Sequence, residues 1–368
     1  MNISGVEKRT LLQTDVYIAK DLSVDFLSRL RTVFEEGALF VLYEKECFAL
    51  ADTLMHELKK GGYRVFASAC EGMSECRDIA NLPEFVRYVL CVGKDLSISL
   101  AKQVASTFQI GWSLYVTAPL SDDVLCCNAP KQVFISENEL VKCQNEQIAA
   151  GYGILLSSRL RAFENIFASK VLGLDCVDIE PVECKQINLC ELEWQLLKLS
   201  SIKVGTDSAE CMANVMRALA IRKGKKPRYG GEYRLLASCL LCSLYAHFLG
   251  APSIDCVLPP CESDDEDLLK SLGIIIENKG KCIDFFDVSS YFRISYILSE
   301  YRLDLLDKLA SADMHGVERF WRRLYPDAGY WLKGEISASE VLYCARLAGV
   351  LSNGLLAFAY AGGTMNNF

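Results

Sequence analysis

The stretch NAPKQVFISENELVKCQNEQIAAGYGILLSSRL (128–160) divides the chain into two textures. Before it, short β-rich runs alternate with helical patterns. After it, long helical patterns follow one another with few strand-like runs between them. Its own QVFIS (132–136) is the last run of strand type, and its AAGYGILL opens the first long helix.

Working upstream, ALFVLY (38–43) is a compact apolar run. Cys47 to Lys60 has helical spacing, with Cys47, Leu50, Ala51, Leu54 and Leu58 near one face, and Gly61-Gly62 closes it. YRVFASA (63–69) and VRYVLCV (86–92) read as strands, LSISLAKQVASTF (96–108) as a helix and WSLYVTAP (112–119) as a strand. Strands alternating with helices predict a mostly parallel sheet covered by helices on its faces. Such a sheet takes ligands beyond the carboxyl ends of its strands, which points to Gly93 and Thr117. Working downstream, helical patterns cover 146–171, 182–200, 207–222, 231–249, 293–311 and 336–361. SDDEDLL (263–269) reads as a helix start, with Ser263 as cap and acids in the first turn. The expected fold is α/β plus all-α: a Rossmann-like parallel-sheet domain over 1–145 and a helical domain over 146–368.

Composition agrees with two globular domains. The chain has 368 residues, 51% hydrophobic and 23% charged, which excludes a disordered chain. The net charge of −8 offers no basic field for a nucleic-acid backbone. The 17 cysteines are odd in number, and many lie in apolar runs such as LLASCLLCSLYA (235–246). They read as small buried thiols in a reducing cytoplasm rather than as a disulfide framework. Three histidines, His56, His247 and His315, leave little material for a His-rich metal site. MNISGVEKRTLLQTD turns polar before any apolar run of signal-peptide length. The apolar stretches Leu235 to Ala251 and Val341 to Gly362 carry His247 and Arg346. They read as buried core helices, not as membrane spans, so neither nucleic acid nor membrane is expected as a partner.

The stretch 128–160 resembles a passage in the iron-containing alcohol dehydrogenase and dehydroquinate synthase superfamily. There an Ala-Pro and a strand lead to an Ala-Ala-Gly-x-Gly-Asp turn that opens the helical domain. The likeness is greatest to the glycerol-1-phosphate dehydrogenase branch. Three further segments fall in the same order. ALFVLYEKECFALA (38–51) looks like the strand that carries an acidic residue near the nucleotide. YVLCVGKDLSISLAK (88–102) looks like the glycine-rich phosphate turn and its helix. KPRYGGEYRLLASCL (226–240) looks like the Gly-Gly-Glu-His segment of the helical domain. The resemblance covers most of residues 35–250. It implies a dehydroquinate synthase-like fold with a cleft between the domains, NAD(P) as cofactor, and a zinc or iron ion held by one Asp and two His. In that family the ion polarises the substrate oxygen while hydride moves to or from a polyol or its phosphate.

This sequence departs from the family at those positions. The Asp of the Ala-Ala-Gly-x-Gly-Asp turn is Ile154, which has no lone pair to give. The first His is Tyr233, whose phenol is a poor ligand at neutral pH. His247, 14 residues on, is a possible remnant of the second His. No metal is therefore expected. The phosphate turn reads Gly93-Lys94-Asp95, with one glycine left and a new carboxylate. Two like charges about 4 Å apart repel by roughly 4 kcal/mol at an effective dielectric near 20, which Lys94 offsets in part or answers by reaching the phosphate itself. TAPLSDD (117–123) keeps Thr117 and Asp122 of a family pattern, and Glu44 is placed to accept from a ribose hydroxyl, favouring NAD over NADP.

His247 is either a remnant ligand or a histidine on an apolar helix. Cys239-x-x-Cys242 with Cys256 and Cys261 is either a zinc site or a chance pair in a cysteine-rich chain. Lys94 and Asp95 are either a repurposed anion site or a solvated turn. Glu232 either lines a substrate cleft or is a favourable first-turn acid. The eroded motifs together predict a degenerate relative acting by ligand or partner binding. Its ligand would be a small molecule in the interdomain cleft, and its partner a like subunit or an active paralogue in a mixed oligomer. The alternative is an active NAD-dependent polyol or alcohol oxidoreductase with substitute ligands such as Asp122, Glu232 and His247. A third is a synthase acting on a sugar phosphate on the same scaffold.

Overall fold

The computed structural model describes residues 5–23, 25–70, 82–120, 124–125, 128–173, 179–180, 182–202, 207–224, 230–250, 288–326 and 344–345. They form two compact units, one of residues 1–151 with 186–203, the other of 152–185 with 204–368.

The first unit is built on a seven-stranded sheet. Its strands are β1 (Glu7–Leu11), β2 (Thr14–Ala19), β3 (Ala38–Glu44), β4 (Arg64–Cys70), β5 (Val86–Gly93), β6 (Gly111–Val116) and β7 (Gln132–Ser136), in the spatial order β1-β2-β7-β6-β5-β3-β4. All neighbours are parallel except β1 and β2, which form an antiparallel hairpin. Parallel strands joined by helices must bury both faces, and the strands read accordingly as nearly unbroken apolar runs. Alternate residues of β3 show the division: Phe40 and Leu42 feed one core, Leu39 and Val41 the other.

Helix α1 (Phe26–Leu30) and helix α2 (Phe48–Lys60) cover one face. Leu54, Met55 and Leu58 of α2 pack there beside an aromatic row in which Phe134 stacks on Tyr17 and Tyr115. The opposite face is covered by α3 (Asp95–Phe108), through Ile98, Ala101 and Val104. After the short α4 (Glu137–Leu140) comes the long α5 (Asn145–Leu172), whose first two turns belong to this unit. Helix α6 (Leu189–Ser201) joins the core of the α3 face through Leu197, with Leu189, Cys190 and Trp194 half-buried beside it. The helix expected over 182–200 thus begins only at Leu189, where Asn188 caps it by accepting from the Glu191 N–H at 2.8 Å.

Strand β1 and α1 carry no clear sequence signal, whereas the buried run VYIA (16–19) of β2 is of strand type and adds a strand to those expected. Strand β1, EKRTL, is a charged edge with little burial, so it lacks the alternation that marks a half-buried strand. Its turn places Leu12 at φ 57°, a left-handed position that Gly, Asn or Asp normally advertises.

The described helices of the second unit are α5 from Tyr152 onward, α7 (Ser208–Arg222), α8 (Gly230–Gly250), α9 (Val288–Ala312) and α10 (Met314–Leu324), with Cys344 and Ala345 also helical. Helix α8 is the centre, packed against α7, α9 and α10. It is apolar nearly all round, which is how a helix buried on several sides reads. It is also the one helix among the described residues long and apolar enough to cross a membrane, but most of it is buried inside the unit. SDDEDLL (263–269), Cys256 and Cys261 lie outside the described residues, as does nearly all of 336–361.

A polar network is sealed into this helical core. Asp207 caps α7 by accepting from the Glu210 N–H at 3.0 Å, and its other oxygen accepts from Arg234 Nη2 at 2.6 Å. Burial works against its charge, but Arg234 and Arg161 hold its carboxyl below the ordinary range. Glu164 lies close by. It accepts from the Tyr245 hydroxyl at 2.7 Å and the Ser208 N–H at 3.3 Å. Burial, with the Asp207 charge adding, pushes its carboxyl up to about 8.

The consequence for stability has a definite sign. An unfolded glutamate releases its proton near 4.5, whereas the folded chain keeps the Glu164 proton to about 8. This stability is fully present below the unfolded value and is lost as pH rises through the folded one. Denaturant unfolding at pH 5 and pH 8.5 should show a loss on the order of a few kcal/mol. Glu164→Gln, which keeps an acceptor for Tyr245 but cannot ionise, should flatten most of that slope.

Candidate functional site

The carboxyl ends of β3, β5, β6 and β7 bring together the residues that the strand rule points to. Glu44 ends β3, Gly93 ends β5 and Thr117 follows β6. The chain then turns through Lys94, in extended conformation, directly into α3.

Glu44 is held in that turn. It is 9% exposed, and its Oε1 accepts from the Lys94 backbone N–H at 3.0 Å. The Ser97 hydroxyl, one turn into α3, lies 3.2 Å from the same oxygen and 2.7 Å from the Lys94 carbonyl. Gly93, at φ +157°, makes room for this arrangement. A Cβ there would run into Ser97 Oγ and come within 3.2 Å of Glu44 Cγ and Cδ. The Lys94 ammonium turns aside, with Nζ 3.9 Å from Oε2 of the exposed Glu46. Asp95 opens α3, and Asp122 lies outside the described residues.

Two cysteines flank Thr117. Cys47, just before α2, donates to the Thr117 hydroxyl at 3.4 Å, and Cys143 donates to the Thr117 carbonyl at 3.0 Å. Burial raises both thiols, pushing Cys143 up to about 11 with the Glu193 charge adding. Glu193, buried on α6, fixes the following loop by accepting from the Leu120 N–H at 3.2 Å. Ser97, Cys143 and Glu193 are not announced by a local motif: Ser97 is 53 residues from Glu44, Cys143 is 26 from Thr117 and Glu193 is 73 from Leu120.

In the second unit the structure explains the glycines of AAGYGI. They lie inside α5 rather than in a turn. A Cβ on Gly151 would meet Pro119 Cβ at 2.6 Å, within the first unit. A Cβ on Gly153 would overlap the Gly231 carbonyl, so α5 and α8 cross backbone on backbone. This crossing brings the segment of the half-buried Ile154 to the segment of Glu232 and Tyr233, both buried. The two positions matched to metal ligands therefore do meet, and neither holds a ligand side chain of the expected kind.

His247 is not a partner for them. It lies on the same continuous helix as Tyr233, and 14 residues at 1.5 Å each separate the two by about 21 Å along the axis. Ligands of one zinc or iron ion stand about 2 Å from it, so both positions cannot serve one ion. His247 is exposed instead. Among the described residues, no three His, Cys, Asp or Glu side chains converge as a ligand set. Of Ile154, Glu232 and Tyr233 at the crossing only Glu232 is an ordinary ligand side chain, where a catalytic ion takes three, so these residues do not fit it. Cys239 and Cys242 are buried free thiols in α8, and Cys239 donates to the Met314 carbonyl at 3.7 Å.

No family model matches the sequence, and no curated protein matches it. Solved structures do. A glycerol dehydrogenase from Schizosaccharomyces pombe is 12% identical, with a TM-score of 0.51 over 88% of this chain and 94% of that one. A point mutant of an archaeal halo-thermophilic Red Sea brine pool alcohol dehydrogenase is 12% identical, also with a TM-score of 0.51, over 97% of this chain and 94% of that one. The chain thus has the alcohol dehydrogenase and dehydroquinate synthase-like fold expected of it.

The helix crossing gives a test of why the glycines remain. Gly153→Ala should cost about 3 kcal/mol of unfolding free energy, because the new methyl group meets backbone that cannot rotate away. Gly230→Ala, on α8 with nothing within 4 Å of a built Cβ, should change it by less than about 1 kcal/mol. Equal effects in urea unfolding would show that the crossing is not under this constraint.

Proposed function

We propose that this chain is a relative of the metal-dependent, NAD-linked alcohol and polyol dehydrogenases that no longer runs their reaction. It works by binding a small ligand or a protein partner, including a competent relative in a mixed oligomer. The observation that carries this reading is the α5–α8 crossing. It brings the two ligand-matched positions together as Ile154 and Tyr233 and leaves His247 about 21 Å away along α8. Drift in one motif would leave a weakened site. Here the chemistry that activates a substrate oxygen has no donor set among the described residues. The ten described cysteines are all free thiols, which suits a reducing compartment such as the cytoplasm.

A second reading is favoured by the match to glycerol and alcohol dehydrogenases over nearly the whole chain. On it, the chain is an NAD-dependent oxidoreductase of polyols, alcohols or polyol phosphates with substitute ligands. The two readings part in one assay. The purified chain, given NAD, Zn²⁺ or Fe²⁺ and either glycerol or glycerol 1-phosphate, should form no NADH above the protein-free rate. Turnover that is lost on chelation and restored by metal would establish the oxidoreductase instead.

A further inference from the structure

We propose that Glu44 is the specificity-determining residue at the carboxyl ends of the strands: its carboxylate takes the anion position of the β5–α3 turn and excludes ligands that need a phosphate there. The proposal rests on the reading that the dehydrogenase reaction is gone, and it adds what this turn now rejects.

A strand running through a glycine into a helix N-terminus is a general anion site. Its free N–H groups and the helix dipole favour negative charge. In this chain the turn is intact as backbone. Gly93 keeps its glycine-only conformation, and α3 follows for 14 residues. What has changed is the occupant. Glu44 supplies a carboxylate oxygen to the Lys94 N–H at 3.0 Å, within reach of the Ser97 hydroxyl at 3.2 Å.

Three features show that this is a built arrangement. The carboxylate comes from a neighbouring strand of the same sheet, since β3 pairs directly with β5 at Tyr43 and Val92. Its backbone is therefore fixed by the ladder and not by a loop. The group is nine-tenths buried, so it is not a surface side chain that settled on the nearest donor. The space it fills exists because position 93 lacks a Cβ: the group stands 3.2 Å from where that atom would be. The glycine that elsewhere lets a backbone approach a pyrophosphate here lets it approach Glu44.

A phosphate at this turn would have to displace Glu44 from both donors while staying beside its charge. Lys94, whose ammonium lies 3.9 Å from the exposed Glu46, offsets the conflict only in part. Ligands without an anionic group at this point meet no such conflict.

The test is a fluorescence titration of the full chain with NADH, repeated with inorganic pyrophosphate as competitor. Wild type should show no saturation at millimolar NADH. Glu44→Ala, which vacates the turn, should bind NADH at least about a hundredfold more tightly, and pyrophosphate should displace it. Glu44→Gln keeps the shape and removes the charge, so it should gain affinity in the same direction by a smaller factor. Should Glu44→Ala fail to fold by circular dichroism, Glu44→Gln decides the question alone. Micromolar NADH binding by wild type, or no gain in a folded Glu44 variant, would overturn the proposal. NADH binding that pyrophosphate cannot displace would also count against it, since the gain would then lie outside the phosphate turn. The wider reading fails separately, on metal-dependent turnover by wild type. A folded variant that gains nothing while wild type stays inert sinks only the role of Glu44.

Discussion

The parallel sheet must bury both of its faces, and most of the first unit follows from that demand. Parallel strands need crossover helices, and the helices supply the cover. Residues of opposite parity along β3 enter opposite cores, so neither face can be left to water. The same rule sends each of β3, β5 and β6 into its following segment at the same edge of the sheet. Glu44, Gly93 and Thr117 are neighbours because the strands that end in them are neighbours, not because they are close in sequence.

In the second unit the organising element is α8, and its cost is polar. A helix packed by α5, α7, α9 and α10 brings Arg234 and Tyr245 into the interior with its leucines. Their polar ends need partners there, and Asp207 and Glu164 supply them. The outcome for the two acids is opposite. Asp207 has guanidinium groups and keeps its charge, whereas Glu164 has a hydroxyl and an amide and keeps its proton.

The fold was largely legible because apolar runs of strand length and helical patterns of helix length are strong signals. The strands 38–44, 64–70, 86–93, 111–116 and 132–136 all fall where hydrophobic runs placed them. What escaped were the charged edge strand β1, which carries no apolar period, and the helices α1 and α10, too short to repeat theirs over more than a few turns. The site was legible in its positions and not in its bonds. The resemblance implies that Glu44 stands near a nucleotide position, but only the folded chain puts its carboxylate on the Lys94 amide. Sequence spacing also suggested His247 as a ligand. A spacing of 14 residues means proximity only if a turn intervenes, and α8 runs straight through.

The path of the chain between the units bears on how the protein is made. The first unit is discontinuous: residues 186–203 return to it after 152–185 have entered the second. Those returning residues form α6, which contributes Leu197 to one face of the sheet and Glu193 to the loop after β6. On the ribosome all seven strands emerge before that helix does. Until residue 203 has left the exit tunnel, part of the sheet's apolar face is uncovered. The nascent chain therefore passes through a stage in which a nearly complete parallel sheet shows hydrophobic surface to the cell, the kind of surface that recruits chaperones or pairs with other chains.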